Sequence, residues 1–483
     1  MSQPDETPNL PHTRRPERSG VESAILAAWV LIILLLLAGL AFFAIRAVTS
    51  GDAPAGAKRP VAKSTPPIDL APTPSPPPSA GGGPLIADFT FVPHGVRFSS
   101  SPQDSASSPV VQILTVPSFT GHSAVWGATG SDHRGHVWLG VSTRLKGEAH
   151  LFEFNPVAQQ LTDHGSVRDQ LTRLNLWKDG MSQNKIHSRI EQGPDGYLYF
   201  ASMDDRGEED IGSKVLPQGS HLWRVSPMTG GTWERIATVP QSLIALSCGG
   251  RMVYALGSPG HVLHQYDTQS GEMRSTTVGA VGGHVSRNLY ADARDHVFVP
   301  RVQWSDQTKT KVDASLVELD ANLRQIASSP LAHYASGDPA SSHGIVGLTP
   351  LDGGSAVIIT HGGILHRIDP PADATSNAPA TISNLGFLHP QGASYTASLF
   401  TYDGKTQVVG VSQVGETFGW FTFDLQTRQS QIRPLAIFYP DKRKLVKHLF
   451  YGSITRDRVG AFFVVGTDQN LDRPVVLRLI PPG

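Results

Sequence analysis

One recurring phrase constrains the fold of this chain more than any other feature. A histidine is followed by a short apolar run, a turn that carries Asp or Gly, and a second apolar run. The phrases begin at His122, His187, His284, His343 and His448. Turns of this kind fall near residues 132, 195, 249, 292, 352, 403 and 457, so one unit spans about 45–60 residues. Short apolar runs repeated at this period are typical of a radial array of β-sheets.

Each unit carries apolar runs for three short strands and a more polar fourth strand. In the first unit, the second and third strands are predicted at residues 136–140 and 151–156. Four strands in each of seven units predict an all-β, seven-bladed β-propeller over residues 86–483. An insertion at residues 163–186 predicts a short helix between blades one and two.

The closure of the ring follows from the shortness of the last unit. It has room for only three strands before Gly483, whereas the apolar run 110–116 precedes the first phrase and belongs to no unit. We therefore predict that this N-terminal segment supplies the outer strand of blade seven. A closed ring of this kind leaves no free sheet edge at the junction.

The first 85 residues predict a membrane anchor and a spacer. Residues 1–22 are polar and rich in proline, which predicts a disordered cytoplasmic tail. Residues 23–46 contain 22 consecutive uncharged residues, roughly 33 Å of helix and enough to cross a bilayer. A cleaved signal peptide is the alternative, although its apolar core is shorter, about 7–15 residues. Residues 47–85 form a Pro/Gly-rich linker that would hold the next domain clear of the membrane.

The orientation of the anchor depends on nearly balanced flanking charges. Arg14, Arg15 and Arg18 precede the span, and Arg46, Lys58 and Arg59 follow it. A short tail ahead of a first span usually stays in the cytoplasm. We therefore predict a single-pass protein of the inner membrane, with a periplasmic or extracellular propeller.

Composition excludes several classes of function. The chain has 40 basic and 41 acidic residues, so no nucleic-acid partner is indicated. The single cysteine, Cys248, excludes an internal disulfide framework and a cysteine-based zinc site. The sequence carries neither a glycine-rich phosphate loop nor a Gly-x-Ser-x-Gly elbow.

The phrase histidines are the candidate functional residues. They stand at a similar distance before the turn in five units, which would place them at one mouth of the central channel. Neutral imidazoles that converge on an axis suit a divalent metal. The alternative is that they cap strands and bond to the backbone of the next blade. Arg189 and Arg287 follow two of them and suit a carboxylate or sulfate, unless they are ordinary rim arginines. His261, His264, His361 and His366 fall on the predicted second and third strands and are interpreted as packing residues.

Four stretches carry resemblances to known propellers. The phrases at 132–138 and 193–199 resemble those of streptogramin lyase and gluconolactonase-like proteins. The runs 185–190 and 219–224 resemble oligogalacturonate and ulvan lyases. That resemblance implies channel-mouth histidines that bind a divalent metal or act as a base, and an arginine that neutralises a uronate carboxylate. It implies His187 and Arg189 as the catalytic pair, with His122, His284, His343 and His448 as ligands of Mn, Fe, Zn or Ca.

Two hypotheses about function follow. The first is a membrane-anchored, exported lyase or hydrolase that acts on anionic saccharides with the help of a metal. The second is a non-catalytic scaffold that presents the propeller to a protein partner in the cell envelope. The histidine ring favours the first hypothesis, and the lack of a specific catalytic motif favours the second.

Overall fold

The computed structural model describes residues 93–94, 110–144, 147–205, 219–282, 284–334, 343–390, 392, 395–401, 403–414, 417–435, 448–452 and 455–480. The predicted tail, transmembrane helix and linker lie outside these residues. Among the residues that are described, no helix combines the length and the apolar character that crossing a bilayer requires.

The described strands form seven antiparallel sheets arranged in chain order. Two strands precede the blades, β1 (Pro93–His94) and β2 (Val110–Ile113). Blade one contains β3 (His122–Ala124), β4 (Thr129–Ser131), β5 (Val137–Thr143), β6 (His150–Asn155) and β7 (Gln160–Ser166). Blade two contains β8 (Lys185–Ile186), β9 (Glu191–Gln192), β10 (Leu198–Met203), β11 (Ser220–Val225) and β12 (Trp233–Val239). Blade three contains β13 (Ser242–Cys248), β14 (Met252–Ser258), β15 (Val262–Asp267) and β16 (Met273–Thr277).

The remaining four blades follow the same pattern. Blade four contains β17 (Tyr290–Ala291), β18 (Val297–Trp304), β19 (Val312–Leu319) and β20 (Gln325–Pro330). Blade five contains β21 (Ile345–Pro350), β22 (Ala356–Thr360), β23 (Ile364–Asp369) and β24 (Thr381–Phe387). Blade six contains β25 (Tyr395–Thr401), β26 (Gln407–Val414), β27 (Thr417–Asp424) and β28 (Ser430–Leu435). Blade seven contains β29 (His448–Tyr451), β30 (Phe462–Asp468) and β31 (Arg473–Ile480). The predicted seven-bladed propeller is confirmed.

An N-terminal strand closes the ring, as predicted. Strand β2 pairs antiparallel with β31, with Val111 opposite Leu479, and becomes the fourth strand of blade seven. Strand β1 extends that sheet by pairing with β2. This closure joins the two ends of the propeller in one sheet, so the ring does not depend on packing alone.

The core lies between neighbouring blades. Every residue of β5 is buried, because both faces of each sheet pack against other blades. Aromatic side chains make several of these contacts, such as the rings of Phe400 and Phe462, which stack with centroids 4.5 Å apart across blades six and seven. The innermost strands are thereby held in fixed positions around the axis.

The helix predicted between blades one and two is present as α1 (Val167–Arg173). Ser166 caps its N-terminus by accepting a hydrogen bond from Asp169 N at 3.1 Å, and Asp169 accepts one from Ser166 N at 3.1 Å. Arg173 near its other end donates to the carbonyl oxygen of Trp233 at 2.7 Å. The helix therefore packs onto blade two.

Candidate functional site

Side chains from several blades meet where the innermost strands begin. They belong to the segments before β4, β9, β17 and β21, to the turn after β22, and to the strands β25 and β29. We call them the mouth cluster: Trp126, Lys185, His187, His284, Arg287, His343, His361, Tyr395 and Tyr451. Trp126, Arg287, His343, His361 and Tyr395 are partly exposed, and the other four are buried. The cluster therefore joins an accessible rim to an enclosed interior.

The central contact of the cluster joins His187 to Arg287. Nη1 of Arg287 lies 2.9 Å from Nε2 of His187, and Nδ1 of His187 lies 3.1 Å from the carbonyl oxygen of Ile244. A guanidinium only donates, so Nε2 accepts and the ring proton resides on Nδ1, which donates to Ile244. His187, only 3% exposed, is therefore held as a neutral imidazole of defined tautomer.

Arg287 has no carboxylate partner among the described residues. Its guanidinium lies 5.3 Å from the ring of Tyr451, and its backbone N–H donates to the carbonyl oxygen of His343 at 3.2 Å. Its Nε has no hydrogen-bond partner within the described part of the chain. A partly buried guanidinium without a counter-charge is suited to bind an anion with two oxygens.

His284 is a buried member of the cluster, three residues before Arg287 in the chain. Its ring is 5.0 Å from His261 and 5.3 Å from Tyr334, and neither ring nitrogen has a hydrogen-bond partner in any other described residue. Burial, followed by charge repulsion from His261, His343 and His361, lowers the pKa of His284 to about 2. His284 therefore adds no positive charge to the cluster at neutral pH.

Two histidines interpreted from the sequence as packing residues belong to this region. Nε2 of His261 accepts a hydrogen bond from Ser286 N at 3.1 Å, and its Nδ1 lies 2.9 Å from the carbonyl oxygen of Pro300. His361 contacts His343, with ring centroids 5.4 Å apart. Both stand in turns between the second and third strands of their blades, which lie at the same end as the beginnings of the innermost strands. His261 is completely buried and bonds to backbone atoms through both ring nitrogens, which agrees with a packing residue, whereas His361 is partly exposed and belongs to the mouth cluster.

An aromatic group forms the other side of the cluster. The ring of Trp126 lies 4.5 Å from that of Tyr451, and Nζ of Lys185 lies 4.7 Å from the Trp126 ring centroid. The rings of Trp126 and His187 are nearly parallel, at 5°, with centroids 6.5 Å apart. Tyr451 therefore connects Trp126 to Arg287, so that two cations flank a continuous aromatic surface.

The structure brings three of the predicted site residues together and places two elsewhere. His187, His284 and His343 belong to the mouth cluster. Nδ1 of His122 lies 2.8 Å from the carbonyl oxygen of Phe119, and its ring faces the Phe119 ring at 5.4 Å. Arg189 is buried in an ion pair with Glu191, and burial lowers its pKa to about 10. The arginine that contacts His187 is thus Arg287.

The side chain of His448 lies outside the described residues, although its backbone begins β29.

Among the described residues, one group of at least three metal-binding side chains has ligand atoms that all lie within 4.8 Å of one another. It consists of Asp132, His136 and Glu153. It lies at the opposite ends of the innermost strands. Nη2 of Arg134 lies 2.6 Å from both Asp132 Oδ2 and Glu153 Oε1. Nδ1 of His136 is also 2.6 Å from Glu153 Oε1. A guanidinium therefore already occupies the carboxylate oxygens that an ion would need.

Blade four repeats this arrangement with the same Asp-x-Arg-x-His spacing. Nη2 of Arg294 lies 2.6 Å from Asp292 Oδ2 and 3.1 Å from Glu318 Oε1. Nδ1 of His296 lies 2.8 Å from the same Glu318 oxygen. We call the two groups the latches of blades one and four. Their recurrence indicates a structural role, and metal ligation by His122, His284, His343 and His448 stays a prediction.

Comparisons with known proteins identify no family for this chain. No family model matches the chain, and no curated protein matches it. The β-propeller domain of Cps50 (Swd1) from Myceliophteria thermophila aligns at 11% identity over 76% of this chain and 98% of that one, with a TM-score of 0.47. Oligogalacturonate lyase from Vibrio parahaemolyticus aligns at 11% identity over 81% and 97%, with a TM-score of 0.44. At this level the likeness carries no argument about chemistry.

Proposed function

We propose that the mouth cluster binds an anionic saccharide and that the protein acts on it as a lyase. The observation that carries the proposal is the contact between Arg287 and the neutral ring of His187. Arg287 has no carboxylate partner among the described residues. A uronic acid offers a carboxylate to the arginine and an adjacent acidic C–H bond to the histidine. Both groups of the substrate would then meet the two side chains that already touch.

Binding of the substrate would change the state of His187. A carboxylate accepts two parallel hydrogen bonds from a guanidinium and competes with a neutral imidazole for them. Once Arg287 turns to the carboxylate, Nε2 of His187 loses the donor at 2.9 Å and regains its basic lone pair. The hydrogen bond from Nδ1 to Ile244 keeps the ring oriented during this exchange. His187 therefore becomes a base only when an anion is present.

The reaction that this geometry supports is a β-elimination. His187 takes the proton from the carbon beside the carboxylate, and the electrons of that C–H bond form the carbon–carbon double bond. The glycosidic C–O bond breaks, and the leaving oxygen receives the proton from His187. Arg287 stabilises the negative charge that develops on the carboxylate in the transition state. Atoms and electrons balance in this step without a co-reactant.

The test is an activity assay on the full-length chain with oligosaccharides of galacturonate and glucuronate. The ultraviolet absorbance of the conjugated double bond reports the product. We expect product with the wild type and with Arg301→Ala, and at least a hundredfold less with His187→Gln or Arg287→Ala. Arg301 is the control because its guanidinium bonds to Gln325 and Ser328, outside the cluster.

Two other results would change the proposal. If the wild type binds these saccharides without forming product, the protein is a non-catalytic propeller that recognises anionic ligands. If it binds none of them, Arg287 does not form an anion-binding site. The hypothesis of a non-catalytic scaffold for a protein partner in the cell envelope is then favoured. A melting curve for each variant separates loss of the site from loss of the fold.

We also propose that residues 23–46 anchor the protein in the inner membrane with the propeller outside the cytoplasm. The uncharged span and the proline-rich linker support this location. Membrane fractionation and digestion of intact cells by an added protease test it. Recovery of the full-length chain in the soluble fraction would contradict the anchor.

A further inference from the structure

We propose that Arg235 and His221 form a second anion site, which binds a small oxyanion such as phosphate or a carboxylate. The two residues lie on β12 and β11, the outer strands of blade two. Neither belongs to the mouth cluster. The site does not involve Arg287, so it is independent of the proposed reaction.

A β-bulge places the side chains of this site on one face of the sheet. The register of β11 against β12 shifts at Ile236, which has no partner residue in β11. Side chains of a regular strand alternate between the two faces, and this alternation would separate Arg235 from Thr238. The extra residue brings both to the face of His221, which is opposite Thr238.

The hydroxyl of Thr238 joins the arginine to the histidine. Nη1 of Arg235 donates to Thr238 Oγ1 at 2.8 Å, and Nδ1 of His221 lies 2.9 Å from the same oxygen. A guanidinium only donates, so the hydroxyl accepts from it and donates its own proton to Nδ1. The ring proton of His221 then resides on Nε2. Burial, followed by the charge of Arg235, lowers the pKa of His221 to about 4, so the ring is neutral at pH 7.

Two enclosed N–H groups of this site have no acceptor. Nε2 of His221 and Nε of Arg235 are buried and have no hydrogen-bond partner among the described residues. The whole side chain of His221 is enclosed, since the residue is only 3% exposed. Buried donors without a partner are uncommon in folded proteins, because water or a ligand normally satisfies them. Two such donors beside a guanidinium suit the oxygens of an anion.

No carboxylate of the described chain occupies this site. Arg235 forms no ion pair within the part of the chain that the structure describes. Its neighbour Glu234 instead accepts hydrogen bonds from Nε and Nη2 of Arg224, at 3.0 and 2.7 Å. Because adjacent residues of a strand point to opposite faces, that pair lies on the other side of the sheet. The charge of Arg235 is therefore left for a ligand.

The experiment measures the binding of inorganic phosphate and of acetate by isothermal titration calorimetry. Every protein is the full-length chain with Arg287→Ala, so that the mouth cluster contributes no arginine to the signal. This chain is compared with chains that also carry Arg235→Gln or His221→Phe. Arg224→Gln is the matched control, because Arg224 lies on the same pair of strands and Glu234 already binds its guanidinium.

We expect phosphate or acetate to saturate one site in the chain with Arg287→Ala alone. Binding should be about tenfold weaker after Arg235→Gln or His221→Phe and should stay within about twofold after Arg224→Gln. Saturation by phosphate alone identifies a tetrahedral oxyanion, and saturation by acetate identifies a carboxylate; both support the site.

Two results would overturn the site. One is the absence of saturable binding by both anions. The other is undiminished affinity in a chain with Arg235→Gln whose melting temperature matches that of the control. Because Arg287 is absent from all these proteins, neither result bears on the proposed function.

Discussion

The two ends of the innermost strands hold the same kinds of side chain in opposite electrostatic states. At the latches, Arg134 and Arg294 each contact an aspartate and a glutamate, and a histidine contacts the same glutamate. At the mouth, Arg287 contacts His187 and no carboxylate among the described residues. At the latches, arginine and histidine bind carboxylates of the protein itself. At the mouth cluster, Arg287 can instead bind a ligand.

This difference shows how a propeller separates stability from recognition. The charge of a buried arginine is compensated when the arginine has two carboxylate partners. Removing such an arginine lowers the free energy of unfolding, because the carboxylates are left without a partner. An arginine that faces imidazoles and aromatic rings gains little stability, and it keeps its capacity to bind an anion. The four predictions below test this contrast, in order of decreasing effect.

The largest effect is expected at the latch of blade four. Glu318 is buried and contacts Arg294, His296 and the backbone N–H of Ala380. Glu318→Gln leaves the charge of Arg294 partly uncompensated, so we expect the free energy of unfolding to fall by about 3–5 kcal/mol. Denaturant unfolding measures it. The control is Glu234→Gln, which breaks the exposed ion pair with Arg224 and should change the free energy of unfolding by less than about 1 kcal/mol. Equal losses in the two variants would show that the latch does not stabilise the fold.

The second prediction concerns the acid sensitivity conferred by His284. Its folded pKa of about 2 lies below the unfolded value of 6.5, so the unfolded chain binds the proton first. The stabilising contribution is complete above pH 6.5 and is lost as the pH falls, by about 3 kcal/mol between pH 6 and pH 4. In His284→Gln the free energy of unfolding should not show this loss at low pH. His133→Gln, which alters an exposed ring, is the control, and equal slopes for all three proteins would contradict the prediction.

The third prediction concerns Glu153 in the latch of blade one. Burial alone would raise the pKa of Glu153, but hydrogen bonds from His164 and His136 outweigh it and lower the pKa to about 2. Because the unfolded value is about 4.5, this stability is present above pH 4.5 and is lost as the pH falls toward 2. Because solvent screens part of this contribution, we expect the free energy of unfolding of the wild type to fall by about 2 kcal/mol. Glu153→Gln should not show this loss. Parallel pH profiles of wild type and variant would contradict it.

The smallest effect on stability is expected at Arg287 itself. Arg287→Ala leaves no carboxylate without its partner, so the unfolding free energy should change by less than about 1 kcal/mol. Arg294→Ala, the matched variant at a latch, should cost about 3–5 kcal/mol. A similar loss in both variants would mean that Arg287 is structural.

Much of the fold was predictable from the sequence, because the blade phrases repeat. The turns after the innermost strands gave the number of blades, and the orphan run that contains Val111 gave the closing strand. The histidine phrase also led to His187, His284 and His343. Their shared position before the turn reflects the shared geometry of the innermost strands.

The pairing of side chains within the mouth was not predictable. Arg189 follows His187 by two residues, but the innermost strand is interrupted there between β8 and β9. Ser188 accepts from Ala201 N at 2.8 Å and donates to the Arg189 carbonyl at 3.1 Å, so the regular alternation of side chains does not apply. Arg287 reaches His187 from 100 residues away, across two blades. His361 was not predicted at the mouth because it lies in a turn between the second and third strands of blade five, which only the antiparallel pairing brings there.

The central claim is that Arg287 is an anion site, and isothermal titration calorimetry with a uronate trisaccharide tests it most directly. The wild type and Arg301→Ala should bind with the same affinity, which falls with rising salt. Arg287→Ala should bind at least tenfold more weakly while its melting temperature stays near that of the wild type. Unchanged affinity in a folded Arg287→Ala would contradict the account, because the arginine without a carboxylate partner would then recognise nothing.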